Sequence, residues 1–185
     1  MTLKAVLFDF NGVIINDEAI HKTLIEEILL AENLRPDATE YDNLCLGRSD
    51  RACLSAILNQ RGRVVNEDYL EQLLQKKARK YQEILEAKEE LPIYRGVEEF
   101  IRDLWGAGLV IGLVTGARRE NVEYVLGRLK IREAFAVLVT GDDIEKSKPD
   151  AEGYLKAVEK LNERYSDLDL SPEECLAIED TPSGI

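Results

Sequence analysis

The chain has 185 residues, 45% of them hydrophobic, so it can bury a substantial core as one domain or as a core domain with an insert. Its 36 acidic and 24 basic side chains give a formal charge of -12, which repels nucleic-acid phosphates and anionic lipid surfaces. We therefore predict neither a nucleic-acid nor a membrane partner. An anionic small substrate would need a local binding device, such as a metal ion or a few lysines.

The cysteines and the N-terminal segment bear on cellular location. The sequence has three cysteines, Cys45, Cys53 and Cys175. Their odd number, their wide spacing and the absence of a CxxC pair predict neither a disulfide framework nor a zinc site. We interpret them as small buried apolar residues. The first apolar run is too short, and Lys4 comes too early, for a signal peptide or a membrane-spanning helix. We expect a cytoplasmic protein.

Four short apolar runs predict buried parallel strands. They cover residues 3–10, 109–115, 136–140 and 175–179. Helical patterns separate the last three runs at the spacing of βαβ units, which indicates an α/β fold with a doubly wound parallel sheet. In such sheets the ligand crevice lies outside the carboxyl ends of the strands. Asp9, Thr115, the loop 141–148 and Asp180 should therefore converge there.

The segment 16–90 lies between the first two strands and has helical periodicity. We predict helices over residues 17–32, 49–61 and 67–87, and a further helix over 97–105 that leads into the second strand. We interpret residues 1–15 and 91–185 as an α/β core and residues 16–90 as a helical cap.

Polar residues at the predicted strand ends are suited to phosphate chemistry. Asp9 is followed by Gly12, where a turn could bring backbone amides to a phosphate, although an ordinary glycine turn explains this pair equally well. Thr115 and the amide of Gly116 offer a hydroxyl and a backbone donor, but a satisfied turn threonine is the simpler reading. The loop lysines Lys146 and Lys148 could place one ammonium between a carboxylate and a phosphate, or could be solvated.

Glu179 and Asp180 end the fourth predicted strand as adjacent carboxylates. They would repel one another unless a hard cation or hydrogen-bond donors held them. A magnesium ion would remove this repulsion. A purely structural role would leave both residues and Asp9 converging without a counter-ion.

Taken in order, four segments resemble the four signature motifs of the haloacid dehalogenase superfamily, from residue 4 to residue 185. They read LFDFNGVIIND, LVTGA, KSKPD and LAIEDTPSGI. Three further segments look most like the β-phosphoglucomutase and phosphoglycolate phosphatase group of that superfamily. These read GVIINDEAIH, LGRSDRACL and YRGVEEFIRDLWGAGL.

The resemblance implies a phosphatase that acts on a small phosphorylated metabolite through a phosphoaspartyl intermediate at Asp9. It implies Mg²⁺ held by Asp9, by the backbone carbonyl of Asn11, by Asp180 and by Glu179. Thr115 and Lys148 would steady the transferring phosphoryl group. General phosphoryl-transfer physics agrees, because most of the catalysis is positioning and neutralisation of charge.

Asn11 departs from the family pattern, which has an aspartate two residues after the nucleophile as general acid and base. An amide cannot transfer protons at neutral pH, and loss of a general acid or base costs about 10² to 10⁴ in rate. Acyl phosphates would suffer less than alkyl phosphates. Asn11 could be natural divergence, a substitution made to trap a complex, or the sign of a phosphate-binding pseudoenzyme with little turnover.

The resemblance also implies substrate contacts in the cap. His21 matches a histidine that orients the acid/base in the β-phosphoglucomutase group, although a surface histidine is equally consistent. Lys77 lies on the apolar stripe of the third cap helix, so it must snorkel or face the cleft. Arg48 and Arg51 are weaker candidates.

Two further departures bear on function and on the fold. A sugar phosphomutase is the alternative enzyme, but Asp17 stands where its cleft threonine is expected, which argues against it. The chain ends at Ile185, just after the fourth motif, where the family continues with a helix and at least one strand. We therefore expect that the C-terminal part of the core is truncated.

Overall fold

The centre of the fold is a four-stranded parallel sheet, seen in a computed structural model that describes residues 2–37 and 39–185. The strands are β1 (Ala5–Phe8), β2 (Val110–Val114), β3 (Val137–Val139) and β4 (Cys175–Ile178). Their order across the sheet is β3-β2-β1-β4. All four predicted strands are present, with ends within two residues of the predicted ones. Parallel pairing brings their carboxyl ends to one edge.

Seven α-helices connect or flank these strands within the described residues. They are α1 (Glu18–Ala31), α2 (Glu40–Leu44), α3 (Asp50–Gln60), α4 (Glu67–Glu86), α5 (Val97–Gly106), α6 (Arg119–Arg128) and α7 (Glu152–Arg164). Two short 3-10 helices cover Arg132–Ala134 and Pro172–Glu174. The four helices predicted with explicit bounds begin and end within one residue of those bounds.

Both faces of the sheet are covered, which confirms the doubly wound α/β class. Val6 and Phe8 of β1 pack in one apolar cluster with α5 and α6. Ala5 and Leu7, which point to the opposite face because side chains alternate along a strand, pack in a second cluster with α7. A strand buried on both faces explains why the sequence of β1 reads as a continuous apolar run.

Helices α1 to α4 form a helical insert, residues 18–86, between β1 and α5. The insert has its own apolar cluster, which is made of side chains from residues 25 to 74. Its other end joins the sheet, because Leu24, Tyr81 and Leu85 pack in the same cluster as Phe10 and Ile15. The division into core and cap stays a prediction, but the separate cluster is consistent with it.

Cys45 and Cys53 form a disulfide, so the prediction of unpaired apolar cysteines was wrong for this pair. Cys45 follows the last residue of α2 and Cys53 lies in α3, and the turn between these helices passes through Gly47, which has a φ of 74°. That turn folds the chain back and brings the two Cα atoms to 4.4 Å. Eight residues of spacing do not reveal such a turn. Cys175 is a half-buried free thiol.

Strand β4 is at the edge of the sheet and is more exposed than its neighbours. Leu176, for example, is 48% exposed. Within the part of the chain that the structure describes, no helix combines the length and the apolar character that a membrane span needs.

Candidate active site

The predicted convergence at the carboxyl edge of the sheet is present. Asp9 follows β1, Thr115 follows β2, Lys148 lies in the loop after β3, and Asp180 follows β4. These four residues line one open cleft. Residues of the helical insert complete its wall: Glu18, His21, Tyr41, Cys45, Gly47, Arg48, Asp50 and Cys53. The cleft therefore lies between the sheet edge and the insert.

Asp9 is a buried carboxylate with two donors on one oxygen. Its Oδ1 accepts a hydrogen bond from the Phe10 amide at 2.7 Å and faces Lys148 Nζ at 3.0 Å. Burial raises the pKa of Asp9 to about 7, since Lys148 only partly offsets it and the Glu179 carboxylate adds to it. To be ionised near neutral pH, Asp9 therefore needs more positive charge nearby than Lys148 supplies.

Lys148 is the lysine of the KSKPD loop that reaches the site. Its Nζ lies 2.5 Å from Glu179 Oε1, and it also donates to the Val114 carbonyl at 3.2 Å. Its side chain is 8% exposed, whereas that of Lys146 is 72% exposed and faces Asp150. Of these two lysines, the structure brings Lys148 to the site, which is the lysine that the family resemblance indicated.

Thr115 and Gly116 follow β2 and line the same cleft. Thr115 is buried, and its Oγ1 accepts a hydrogen bond from the Ala117 amide at 3.1 Å, so the hydroxyl hydrogen can still be donated to a ligand. A Cβ on Gly116 would lie 2.7 Å from Ser49 Cα of the insert. Glycine is therefore needed here for the close approach between the core and the insert.

Three carboxylates face one another at the carboxyl edge of the sheet. Oxygen atoms of Asp9, Glu179 and Asp180 lie within 4.8 Å of one another. Glu179 Oε1 interacts with Lys148 and with the Tyr154 hydroxyl, but its Oε2 is buried without a hydrogen-bond partner. Burial and then the neighbouring Glu179 raise the pKa of Asp180. These oxygen ligands carry excess negative charge, and Glu179 Oε2 has no hydrogen-bond partner among the described residues. Such a set of ligands suits a hard divalent cation such as Mg²⁺.

Gly12 fixes the position of Asp180. It has a φ of 78°, and a Cβ on it would lie 1.9 Å from Asp180 Oδ2. The turn after β1 and the carboxylate after β4 can therefore pack together only when residue 12 has no side chain. This is a stronger reason for glycine than the phosphate-binding turn that the sequence suggested.

We expect the substitution Gly12→Ala to displace Asp180 and weaken Mg²⁺ binding at least tenfold, as measured by isothermal titration calorimetry. Gly96→Ala is the matched control, because Gly96 has a φ of 86° but no atom within 4 Å of the position that a Cβ would take. Both variants should lose about 1 to 2 kcal/mol of stability from the left-handed backbone. Equal Mg²⁺ affinity in both variants would contradict a role of Gly12 in placing Asp180.

Asn11 lies at the cleft wall beside a buried polar group. Its Nδ2 lies 2.8 Å from Asp17 Oδ2 and 3.1 Å from His21 Nε2. His21 is buried, lines the cleft and stacks on Tyr81. The interpretation of His21 as a surface histidine was therefore wrong. The sequence analysis considered Asp17 only as the residue that stands in place of an expected threonine. In the structure its carboxylate accepts the hydrogen bond from Asn11.

The three basic residues predicted as substrate contacts lie in different places. Arg48 lines the cleft and forms no ion pair with the other described residues. Arg51 pairs with two carboxylates of α4, at 2.6 and 2.7 Å, and lies outside the cleft lining. Lys77 is 1% exposed and is held by Asp50 at 2.7 Å and His21 Nδ1 at 2.6 Å. The structure brings only Arg48 to the cleft.

Several charged or hydroxyl-bearing cleft residues were not predicted from the sequence. They are Glu18, Tyr41, Asp50 and Thr181. Thr181 follows the predicted pair Glu179 and Asp180, so its position in the motif was an available signal. Two hydrogen bonds also join the insert to the core beside the cleft. The Ser49 amide donates to Ser147 Oγ at 2.7 Å, and the Ser183 hydroxyl donates to the Leu46 carbonyl at 3.4 Å.

Comparisons with known proteins agree with this architecture. The chain is 30% identical over 189 residues to the pyrophosphatase PpaX of Bacillus cereus strain B4264, covering all of this chain and 78% of the relative. It is 29% identical to the β-phosphoglucomutase of Bacillus subtilis strain 168, covering 99% of this chain and 77% of the relative. The crystal structure of CbbY from Rhodobacter sphaeroides in complex with phosphate has the same fold, with a TM-score of 0.81 at 23% identity, covering 99% and 80%.

The family-level match extends over nearly the whole chain. Residues 3–185 match the haloacid dehalogenase-like hydrolases, a span that includes all four strands and the helical insert. The similarity to β-phosphoglucomutase and PpaX supports the group that the motifs indicated. The chain belongs to the haloacid dehalogenase-like hydrolase family.

Proposed function

We propose that this protein is a Mg²⁺-dependent phosphatase that acts on a small phosphorylated metabolite through a phosphoaspartyl intermediate at Asp9. The observation that carries the proposal is the cluster of Asp9, Glu179 and Asp180, whose oxygens lie within 4.8 Å with Lys148 as the neighbouring cation. When ionised, these three carboxylates carry two more negative charges than the one ammonium neutralises, and one divalent cation balances that excess. The names of the relatives, a pyrophosphatase and a phosphomutase, support phosphoryl transfer.

The reaction begins with Asp9. Its free carboxylate oxygen attacks phosphorus in line, the bond to the leaving oxygen breaks, and the phosphoryl group becomes an acyl phosphate on Asp9. The Thr115 hydroxyl, the Gly116 amide and the Lys148 ammonium bind the equatorial oxygens, where charge develops. Water then attacks phosphorus, which releases inorganic phosphate and regenerates the Asp9 carboxylate.

Bound Mg²⁺ would be held by Asp9, the backbone carbonyl of Asn11, Glu179 and Asp180, and would neutralise charge between Asp9 and the phosphoryl oxygens. The sequence supplies these four ligands from two strand ends that pair in register, β1 and β4. The sheet and the Gly12 turn together would position these ligands.

Residues 16–90 act, in this proposal, as a cap over a core of residues 1–15 and 91–185. Contacts beside the cleft support this role. Ser49 binds Ser147, and Arg118 of the core binds Glu71 of α4 at 2.8 Å. Arg48, on the loop between α2 and α3, is the insert cation that lines the cleft and can meet the substrate. Closure over the substrate would exclude bulk water from the first step.

A sugar phosphomutase is the second candidate, favoured by the similarity to β-phosphoglucomutase. A mutase needs a cap group that binds a second phosphate, and Arg48 is a candidate for that group. We favour the phosphatase because Asp17 replaces the cleft threonine of the mutase pattern and because Asn11 lacks an acid to protonate a sugar oxygen. The third candidate, a phosphate-binding pseudoenzyme, predicts ligand binding without turnover.

The cytoplasmic location stays a prediction.

The test is release of inorganic phosphate from sugar, acyl and aryl phosphates and pyrophosphate, with Mg²⁺ or with EDTA. We expect release only with Mg²⁺, fastest from acyl, aryl and anhydride substrates, because these leaving groups need little protonation. A mutase would instead isomerise a sugar phosphate with little phosphate release. Mg²⁺-dependent binding of phosphate without release from any substrate would support the pseudoenzyme and overturn the phosphatase.

Metal binding should also depend on pH, because the pKa of Asp9 is raised to about 7. In metal-free protein, protonated Asp9 stabilises the fold at low pH, and this contribution is lost as the pH rises through about 7. Mg²⁺ needs the ionised carboxylate. The increase in thermal midpoint caused by Mg²⁺ should therefore be larger at pH 8 than at pH 5. An increase that does not change with pH would contradict Asp9 as a ligand.

A further inference from the structure

Asp17 is a buried carboxylate that the phosphatase mechanism does not use. It is 1% exposed and lies outside the cleft lining, yet its Oδ2 contacts three polar groups. These are Asn11 Nδ2 at 2.8 Å, the Tyr81 hydroxyl at 2.5 Å and His21 Nε2 at 3.2 Å. Asp17 Oδ1 is buried without a hydrogen-bond partner. The hydrogen bonds of the carboxylate are thus directed at the wall that carries Asn11.

The chemistry of Asp17 fixes the orientation of the Asn11 carboxamide. A carboxylate oxygen can only accept hydrogen bonds, so the NH₂ group of Asn11, not its oxygen, must face Asp17. The carboxamide oxygen is then the polar atom of the side chain that is left for the cleft, which Asn11 lines. The Asn11 side chain therefore presents a hydrogen-bond acceptor to the cleft and cannot act there as a general acid.

We propose that Asp17 is a positioning residue that holds Asn11 so that its Oδ1 orients the water that attacks the phosphoaspartyl group. This proposal rests on the proposed phosphatase function. The oxygen accepts a hydrogen bond from the water and aligns it with phosphorus, while the proton leaves to solvent. Orientation without proton transfer is sufficient where the transition state is loose, because the nucleophile then needs little activation.

The same contact makes the identities of residues 11 and 17 depend on each other. An aspartate at position 11 would place a carboxylate oxygen about 3 Å from Asp17 Oδ2, and two buried like charges at that distance repel strongly. An amide at one position and a carboxylate at the other form a hydrogen bond instead. One carboxylate and one carboxamide at positions 11 and 17, in either order, should therefore be more stable than two carboxylates or two carboxamides.

A double-mutant cycle tests this pairing through thermal unfolding in EDTA, without any need for activity. The variants are Asn11→Asp, Asp17→Asn and the two combined, which exchanges the residues and conserves the net charge. We expect each single variant to lower the midpoint by roughly 3 to 6 °C, and the exchange to lie closer to the wild type than either. Asn59→Asp with Asp103→Asn, two exposed sites, is the control cycle and should be additive. Additive shifts at 11 and 17 would overturn the proposal.

Kinetics separates positioning from mere stability. The exchanged variant places an acid at position 11, so its kcat on alkyl phosphates should rise about 10²-fold with little change in KM, while its kcat on acyl phosphates changes less. Asp17→Asn alone should lower kcat on every substrate, because Asn11 is no longer held. Unchanged kcat in Asp17→Asn would overturn the positioning role. If no variant releases phosphate, the proposed function fails, and the thermal cycle alone decides whether the pair is coupled.

Discussion

Phosphate release is expected to fall at least about 10³-fold when Asp9 is replaced in Asp9→Asn, because the variant keeps the shape of the side chain but loses the nucleophile. The fold should survive. Asp9 is a buried carboxylate whose pKa is raised to about 7, so removing its charge relieves repulsion from Glu179 at pH 8. We therefore expect the metal-free variant to unfold at the same temperature as the wild type, or higher.

The measurements for Asp9→Asn are steady-state phosphate release, thermal unfolding and the intact mass of acid-quenched protein during turnover. The wild type should carry one covalent phosphoryl group, and the variant none. Asp103→Asn, on the exposed side of α5, is the matched control and should keep full activity. Covalent phosphorylation that persists in Asp9→Asn would place the nucleophile elsewhere.

The second large effect is expected at Lys148. Lys148→Met keeps most of the side-chain length but removes the ammonium that lies 3.0 Å from Asp9 and 2.5 Å from Glu179. Loss of one charged donor to the transferring phosphoryl group should lower kcat by about 10² to 10³. The carboxylates would also lose their cation, so the variant should depend more strongly on Mg²⁺ for thermal stability.

Lys146→Met is the control for Lys148, because it removes the same charge from the same loop at a side chain that is 72% exposed. It should keep the wild-type rate and the wild-type midpoint with and without Mg²⁺. Equal losses in both variants would show that the loop charge acts only at long range. In that case Lys148 would have no direct role at Asp9.

Strand positions were predictable because each strand of this sheet has an apolar sequence and is followed by a polar residue. That pattern located Asp9, Thr115 and Asp180, and the rule that parallel strands end at one edge brought them together. The helices of the insert were predictable because their apolar stripes pack in a separate cluster. The loop pattern alone did not separate Lys146 from Lys148, but the family resemblance indicated Lys148, and Lys148 lines the cleft.

The remaining site residues depend on contacts between segments that lie far apart in the sequence. Lys77 was expected either to snorkel or to face the cleft, but Asp50 and His21 hold it inside the insert. The sequence contains no sign of that pairing, because the partners are 27 and 56 residues away. The disulfide was missed for a related reason, since it depends on how α2 and α3 cross. Arg51 lies outside the cleft because α4 supplies its carboxylate partners.

The hydrogen bond between the Ser49 amide and the Ser147 hydroxyl links the insert to the residue next to Lys148. An outward swing of the insert that breaks this bond would remove one restraint on the loop that carries Lys148, while the contacts of Lys148 with Asp9 and Glu179 remain. If the insert opens for substrate entry, as the proposed function requires, the opening would therefore loosen this loop beside the site. An open molecule would exchange ligands with a relaxed Lys148 loop, and a closed one would hold Lys148 in place for chemistry.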